Sequence, residues 1–326
     1  CHSSVPSYYL GNCTITLTVI TIDAEVLEKE ILESKVCTAY STKNDSSQYV
    51  DYKSQGDTRL TINGSRHYKT PFGSLPSVTT ILGATQGSKA ALERWAKKNP
   101  GKKEQAARRG TAVHARMEHY LLGEKDFSHE ENEDPEFIKD TVEPFWNGLS
   151  EKLDKFDKVI WAENPANDDF QWTIGGDGIS RVWSPGEHET EVRGWAGAPD
   201  IIATYQGKVV LGDLKTSNGL YFGRWPGPDT PREEYGMRRA GFIKYQKCCM
   251  QLAAYDIAVQ HTIGIKPDIH MIIVATVERP QVFAIQGRTI QKYKEKWMKC
   301  VDKYYEEFHN IPEIEMEVVD LDKLKG

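Results

Sequence analysis

Long apolar runs are missing from this chain of 326 residues. No stretch of about 18 apolar residues occurs, which is the length that a membrane-spanning helix requires, so we expect no membrane partner. Cysteine pairs with metal-binding or redox spacing are missing as well. None of the six cysteines has the C-x-x-C spacing of a zinc or redox site, and the adjacent Cys248 and Cys249 are expected to be small core residues in a reducing compartment.

Positive charge is in deficit, because 41 Lys and Arg residues face 47 Asp and Glu residues and the net charge is −6. This balance excludes a generally basic nucleic-acid coat protein, so a polyanionic partner would have to meet a local basic patch. The first basic residue is Lys29. Its position argues against an arginine-rich mitochondrial presequence and against the charged start of a signal peptide.

The patterns that are present predict a mixed α/β or α+β domain. We expect residues 1–56 to be an N-terminal extension of unknown role and residues 57–326 to form one domain. Within 59–68, Asn63 and Gly64 suit the type I′ turn of a hairpin. Apolar periodicity predicts helices at 104–123, 241–262 and 289–309, a helix disturbed by Pro144 at 134–156, and strands at 158–163, 194–217 (two strands) and 268–286 (two strands).

The stretch LGDLKTS, at 211–217, contains the first chemical signal. Residues two apart in a strand share a face, so Asp213 and Lys215 point the same way. A hairpin turning at 206–207 would bring Asp200 toward Asp213, in a register that the residues leave open. Two such carboxylates repel each other unless a cation neutralises them, and Mg²⁺ or Mn²⁺ prefers oxygen ligands.

A metal ion at this place would lower the pKa of a bound water and stabilise charge on a phosphate. Lys215 would then orient the attacking water or hold the oxyanion of the transition state. The alternative is that Asp213 and Lys215 form an exposed ion pair on an edge strand, since D-x-K is a common pattern.

Three further places carry polar groups in suggestive positions. His114 and Glu118 lie one helical turn apart, as do Gln251 and Tyr255 on an otherwise apolar helix, and Glu163 ends a short strand. Each also has a plain structural interpretation. His114 would be a core histidine, Tyr255 a core aromatic residue and Glu163 a solvated strand end.

Taken in order, these motifs resemble those of the PD-(D/E)xK nuclease superfamily in its RecB-like branch. The order is G-x-x-x-H in a helix, an acid at a strand end, G-x-x-D, D-x-K-T-S, and Q-x-x-x-Y on the next helix. Within that branch the chain is similar to the mitochondrial genome maintenance exonucleases and their phage and bacterial relatives, over roughly residues 57 to 310. The resemblance implies a restriction-endonuclease-like core, with a central mixed β-sheet flanked by helices.

The resemblance also implies roles for individual residues and a divalent Mg or Mn cofactor. It implies metal ligands at His114, Asp200, Asp213 and the Leu214 carbonyl. It implies catalytic or supporting roles for Lys215, Asp213, Asp200, Gln251, Tyr255 and Glu163. Some RecB-like nucleases hold an iron–sulfur cluster with three closely spaced late cysteines. Here the late cysteines stand at 248, 249 and 300, so we expect no cluster.

Contact with DNA requires cationic and stacking side chains, even though the net charge of the chain is negative. The basic segment 93–110, directly before His114, supplies them. Its candidate DNA-binding residues are Arg108, Arg109, Trp95, Lys102 and Lys103. The alternative is a solvated helix face.

By this resemblance, the expected activity is that of a metal-dependent DNA exonuclease acting from free, single-stranded ends in replication, recombination or repair. Two alternatives remain open. One is a double-strand end-processing exonuclease similar to lambda exonuclease, and the other is a nuclease-fold DNA-binding subunit without catalysis. The expected location is the cytoplasm of a bacterial or phage-infected host cell.

Overall fold

The computed structural model describes residues 59–70, 73–87, 94, 96–130, 133–162, 182–184, 186 and 192–309. The predicted extension at 1–56 and two candidate site residues, Trp95 and Glu163, lie outside these described residues. No helix in the described part of the chain is long and apolar enough to cross a membrane.

The described chain opens with a small antiparallel sheet. Its strands are β1 (Arg59–Ile62), β2 (Ser65–Thr70) and β3 (Gly73–Pro76), hydrogen-bonded in that order. The turn between β1 and β2 has φ of 50° at Asn63 and 71° at Gly64. Two consecutive positive φ values define the type I′ turn, which confirms the predicted hairpin.

Four longer helices follow in the chain. They are α1 (Val78–Thr85), α2 (Lys102–Leu121), α3 (Arg232–Ile263) and α4 (Arg288–Glu307). The Ser77 side chain caps α1 by accepting the Thr80 N–H at 3.0 Å. The predictions for α2 and α4 agree within two residues. Helix α3 begins at Arg232, well before the predicted start at 241. The prediction missed the first turns because they are largely exposed and show no apolar periodicity.

The helix predicted around Pro144 is a succession of short turns. These are a 3₁₀ turn at Ser128–Glu130, helical turns at Pro135–Phe137, Glu143–Trp146 and Ser150–Leu153, and a wide π turn at Ile138–Val142. Proline has no N–H to donate and its ring clashes with the preceding turn. The predicted disturbance at Pro144 is confirmed.

A five-stranded mixed sheet forms the centre of the fold. Its strands are β4 (Lys158–Ala162), β7 (Ile201–Tyr205), β8 (Lys208–Thr216), β9 (Ile269–Ala275) and β10 (Gln281–Ile285), in the order β10-β9-β8-β7-β4. Strand β8 pairs antiparallel with β7 and parallel with β9. The predicted mixed α/β class, with helices flanking a mixed sheet, is confirmed.

A separate pair consists of β5 (Val182–Ser184) and β6 (Trp195–Gly197). The first residues of the predicted strand region 194–217 therefore join this pair and not the central sheet. On one side of the central sheet, α2 and the short turns contribute a core that contains Met117, Leu149 and Leu214. Trp195 and Trp297 pack edge to face with ring centroids 5.3 Å apart, which joins β6 to α4.

Candidate metal and catalytic site

The hairpin of β7 and β8 brings two carboxylates together. Ile201 pairs with Gly212, so the next residues outward, Asp200 and Asp213, stand opposite each other. The Leu214 N–H donates to Asp200 Oδ2 at 2.6 Å, and Asp200 and Asp213 are both buried. The sequence did not determine the register of this hairpin. In the structure, the register places the two acids opposite each other.

Lys215 lies on the same face of β8 as Asp213. Its Nζ is 2.6 Å from Asp213 Oδ2, and the exposed fractions of the two side chains are 26% and 0%. Because β8 is the third of five strands and is paired on both sides, this is not an exposed edge-strand ion pair. The alternative interpretation of the D-x-K pattern is wrong.

His114 approaches the carboxylates from helix α2. Its Nδ1 lies 3.7 Å from Asp200 Oδ2, and its ring hydrogen-bonds with the backbone of Leu214. The helix comes close to β8 at Gly110, where a Cβ would stand 3.5 Å from Thr216 Oγ1. Burial, reinforced by the positive charge of Lys215, lowers the pKa of His114 to about 4. The imidazole is therefore neutral near pH 7, which is the form that binds metal ions.

The charges of the site strongly affect one another. Burial raises the pKa of Asp213 to about 6, with Lys215 opposing the shift and Asp200 adding to it. Burial also raises the pKa of Asp200. Burial alone would lower the pKa of Lys215, but the two carboxylates outweigh it and raise that pKa well above its usual value. The lysine is therefore a permanent cation beside two acids that are costly to ionise together.

Carboxylate and carbonyl oxygens are the donor types that an oxygen-preferring divalent cation accepts. Asp213 Oδ1 is buried and has no hydrogen-bond donor, so one carboxylate oxygen is left over for another electrophile. Asp200 stands opposite Asp213 in the strand pair, and the neutral His114 ring lies 3.7 Å from Asp200 Oδ2 and hydrogen-bonds with the backbone of Leu214. Within the described residues, however, no three His, Cys, Asp or Glu side chains are gathered closely enough to hold a metal ion. The donors present form a partial ligand set.

The Gln251 and Tyr255 pair is buried on α3. Gln251 Nε2 donates to Tyr255 Oη at 3.1 Å, as the spacing of one helical turn predicts. The Tyr255 ring also presses on β6, since a Cβ at Gly197 would lie 2.6 Å from Tyr255 Cε1. Cys248 precedes this pair on the same helix. Burial raises the pKa of its thiol to about 12, with Lys215 opposing and Asp213 adding to the shift, so this stretch of α3 borders the site.

Three residues that the sequence analysis did not single out also border the site. Lys244 Nζ hydrogen-bonds with Ser217 Oγ at 3.1 Å and lies 5.7 Å from the centre of the Tyr221 ring. Tyr221 hydrogen-bonds with Cys248, and burial is the main cause that raises the pKa of its hydroxyl. The available signal was the helical spacing that places Lys244, Cys248, Gln251 and Tyr255 three or four residues apart on one face.

The candidate DNA-binding residues of α2 have neighbours of their own. Arg108 pairs with Glu133 at 2.9 Å and stacks 3.7 Å from the centre of the Phe137 ring. Arg109 stacks 4.2 Å from the centre of the Phe145 ring, and burial lowers its pKa. Lys102 and Lys103 are exposed at the start of the helix. The DNA-binding role of these four residues stays a prediction.

Comparison with known proteins adds little to the geometry. No model of a protein family and no curated protein matches this sequence. A solved structure described as "Crystal structure of SSO0001" is 14% identical, with 58% of this chain and 74% of that chain covered and a TM-score of 0.26. A likeness at this level carries no argument about fold or function.

Proposed function

We propose that the protein is a metal-dependent DNA exonuclease with a PD-(D/E)xK core, which hydrolyses phosphodiester bonds from free, single-stranded DNA ends in replication, recombination or repair. One observation supports the proposal above all others. Asp200 and Asp213 face each other across β7 and β8, with Lys215 held against Asp213 and a neutral His114 beside Asp200. This grouping suits phosphate hydrolysis better than it suits a structural ion pair.

The proposed cofactor is Mg²⁺ or Mn²⁺. The residues that would hold it are Asp200, Asp213, His114 and the carbonyl of Leu214. Such an ion, when bound, supplies a water of lowered pKa and neutralises charge on the phosphate. The buried Asp213 Oδ1, which has no hydrogen-bond donor, is the atom that would gain most from the cation.

The protein's own side chains would do the rest of the work. Lys215 stays protonated because both acids raise its pKa, so it is suited to stabilising negative charge on the phosphate or orienting the nucleophilic water. Asp213 keeps the Lys215 ammonium in place through the 2.6 Å contact. Gln251 and Tyr255 fix the position of α3 against β6 and support the site from behind.

The cofactor is tested by degradation of an end-labelled single-stranded oligonucleotide in Mg²⁺, Mn²⁺ or EDTA. We expect cleavage with either metal and none in EDTA. His114→Ala should shift the activity to higher Mn²⁺ concentrations, because an imidazole is a ligand that Mn²⁺ accepts readily. The control is His261→Ala. His261 is a half-buried histidine near the C-terminal end of α3. Activity that persists in EDTA would refute the metal dependence.

A further inference from the structure

The segment that follows the site strand presents aromatic and arginine side chains side by side. Residues 218–231 form a loop, and residues 232–247 form the first turns of α3. A groove of about 500 Å³ opens there, lined in part by Phe222, Arg224, Trp225 and Arg238. With Arg239, these residues are referred to below as the arginine–aromatic surface.

Apolar exposure is concentrated on this segment. Eight large apolar side chains are strongly exposed among the described residues, and four of them lie within 225–243. They are Trp225, Tyr235, Met237 and Ile243, and Trp225 has an exposed fraction of 49%. Trp225 also lines the groove, whereas the other three exposed apolar side chains lie on the first turns of α3.

The same segment carries the opposite charge from the chain as a whole. Residues 218–247 contain six Lys or Arg and three Asp or Glu, for a net charge of +3 in a chain of −6. Glu234 pairs with Arg238 at 2.8 Å, while the other two acids, Asp229 and Glu233, are exposed. This segment is thus the kind of local basic patch that a polyanion requires on an acidic protein.

The arginines and rings are already arranged in contact. Arg238 Cζ lies 5.1 Å from the centre of the Phe222 ring, and Arg239 Cζ lies 5.7 Å from the centre of the Trp225 ring. The indole packs edge to face on Phe242, with centroids 5.6 Å apart. An exposed indole that is braced from one side loses little conformational entropy when a second flat group stacks on it.

The arginine–aromatic surface is firmly joined to the candidate site. The Tyr221 N–H donates to Gln281 Oε1 at 2.8 Å, and Gln281 Nε2 donates to the Tyr221 carbonyl at 3.1 Å, which ties the loop to β10. The loop lies directly on α3, because a Cβ at Gly241 would clash with the Leu220 carbonyl oxygen. Its first residue, Asn218, stands three positions after Lys215 in the chain. Phe222, Arg224 and Trp225 thus follow Asp213 by 9 to 12 positions in the chain.

We propose that the arginine–aromatic surface binds single-stranded nucleic acid, with a base stacked on Trp225 and backbone phosphates held by Arg224 and Arg239. Its role in leading the strand to Asp213 rests on the proposed function, but binding itself does not. Single strands are favoured over duplex because a ring can stack only on a base whose face is free. The contacts are independent of sequence, since every base has a flat face and every nucleotide a phosphate.

The stacking contact is tested by fluorescence anisotropy with a labelled thymidine 20-mer in EDTA, so that cleavage cannot interfere. Trp225→Ala should weaken binding by about 5- to 150-fold, as loss of one stacked base does, and Trp225→Phe should keep most of the affinity. The control is Phe308→Ala, which removes an aromatic side chain with a similar exposed fraction of 44% just after the C-terminal end of α4. Melting curves of all variants check that the fold is retained.

The phosphate contacts are tested by the salt dependence of the same binding. Replacing Arg224 and Arg239 together with Ala should reduce the slope of log affinity against log salt by about 1.4, since each phosphate contact on a single strand contributes about 0.7. The control pair is Arg279→Ala with Arg288→Ala, two exposed arginines outside the segment.

Several outcomes would overturn the inference. Unchanged oligonucleotide affinity in both the tryptophan and the arginine variants would exclude the surface as a binding site. If the protein binds heparin as tightly as it binds the 20-mer, and Trp225→Ala does not change the affinity for the 20-mer, the surface is a basic patch that does not stack on bases. Failure of the proposed function gives a different result. A wild-type protein that binds the 20-mer but never cleaves it in Mg²⁺ or Mn²⁺ would support this surface as a binding site and refute the nuclease activity.

Discussion

At the scale of single residues, the unusual feature is a fully buried carboxylate beside a lysine on a central strand. A buried ion pair is seldom a net gain in stability, because removing two charges from water costs about as much as their attraction returns. Asp213 also keeps one oxygen without a hydrogen-bond donor. Such an arrangement is easier to explain as part of a site that binds something than as a device for stability.

Lys215→Ala and Asp213→Asn should each reduce cleavage of single-stranded DNA by at least about 100-fold, as loss of a group that stabilises transition-state charge does. The measurement is the single-turnover rate at saturating Mg²⁺. Lys208→Ala, at the exposed start of the same strand, is the matched control and should leave the rate unchanged. Near wild-type turnover by either site variant would refute the assignment of these residues.

At the scale of elements, α3 joins the parts of the domain. Its Tyr255 packs on β6, its Lys244 reaches the end of β8, and its Asp256 connects it with β9 and α4. The position of the site therefore depends on how α3 packs. Two substitutions outside the catalytic groups test this dependence.

Gly197→Ala should destabilise the protein by about 1–3 kcal/mol, the usual cost of overpacking a core. A methyl group there would be 2.6 Å from Tyr255 Cε1 and would push the ring away from Gln251. Urea unfolding measures the change. Gly83→Ala is the control, because nothing lies within 4 Å of a Cβ at that position in α1 and alanine favours a helix. Equal stability of the two variants would contradict the close packing of β6 on α3.

Asp256→Asn should lower the free energy of unfolding by about 3–5 kcal/mol near pH 7, as breaking a buried pair does. Asp256 Oδ2 contacts His270 Nε2 at 2.9 Å and Lys294 Nζ at 2.6 Å. Burial alone would raise the pKa of Asp256, but hydrogen bonding to His270 and the contact with Lys294 bring it below the usual value.

A lowered pKa in the folded state means that this stability is present above the unfolded pKa of 3.8 and is lost as the pH falls below it. The difference between wild type and Asp256→Asn should therefore shrink as the pH decreases through about 4. Asp302→Asn, at a half-exposed ion pair on α4, is the control and should change stability little. A difference that stays constant down to pH 3 would contradict the cluster.

At the scale of the whole molecule, an acidic protein is proposed to act on a polyanion. The net charge of −6 repels DNA in general, so productive contact must occur where cations are concentrated. The arginine–aromatic surface is one such place, next to the end of β8. By the proposal, a strand would reach the site along this surface.

We expect the protein to require a free DNA end and to leave closed single-stranded circles largely intact. The measurement is degradation of linear single-stranded, circular single-stranded and duplex DNA of equal length, with the linear strands labelled at either end. Circles linearised by one cut serve as the control and should become substrates. Rapid cutting of closed circles, or duplex degraded as fast as single strands, would refute the preference, although the metal-site proposal would survive.

Features that depend on one element were predictable from the residues. Asn63-Gly64 predicts its turn because both residues tolerate positive φ. The shared face of Asp213 and Lys215 follows from the two-residue period of a strand, and the Gln251–Tyr255 contact follows from the helical turn. These properties arise from local backbone geometry, which a few neighbouring residues control.

Features that depend on distant partners required the tertiary structure. That β8 lies inside the sheet, and so buries Asp213, follows from its parallel pairing with β9, more than fifty residues later in the chain. Arg108 pairs with Glu133, 25 residues later in the chain, which no local pattern indicates. The length of segment 218–240 is visible in the sequence, but the arginine–aromatic surface is not, because its rings and guanidinium groups come from a loop and a helix that pack together at Gly241. Local periodicity carries no information about such contacts, because the free energy that selects them comes from burial between elements.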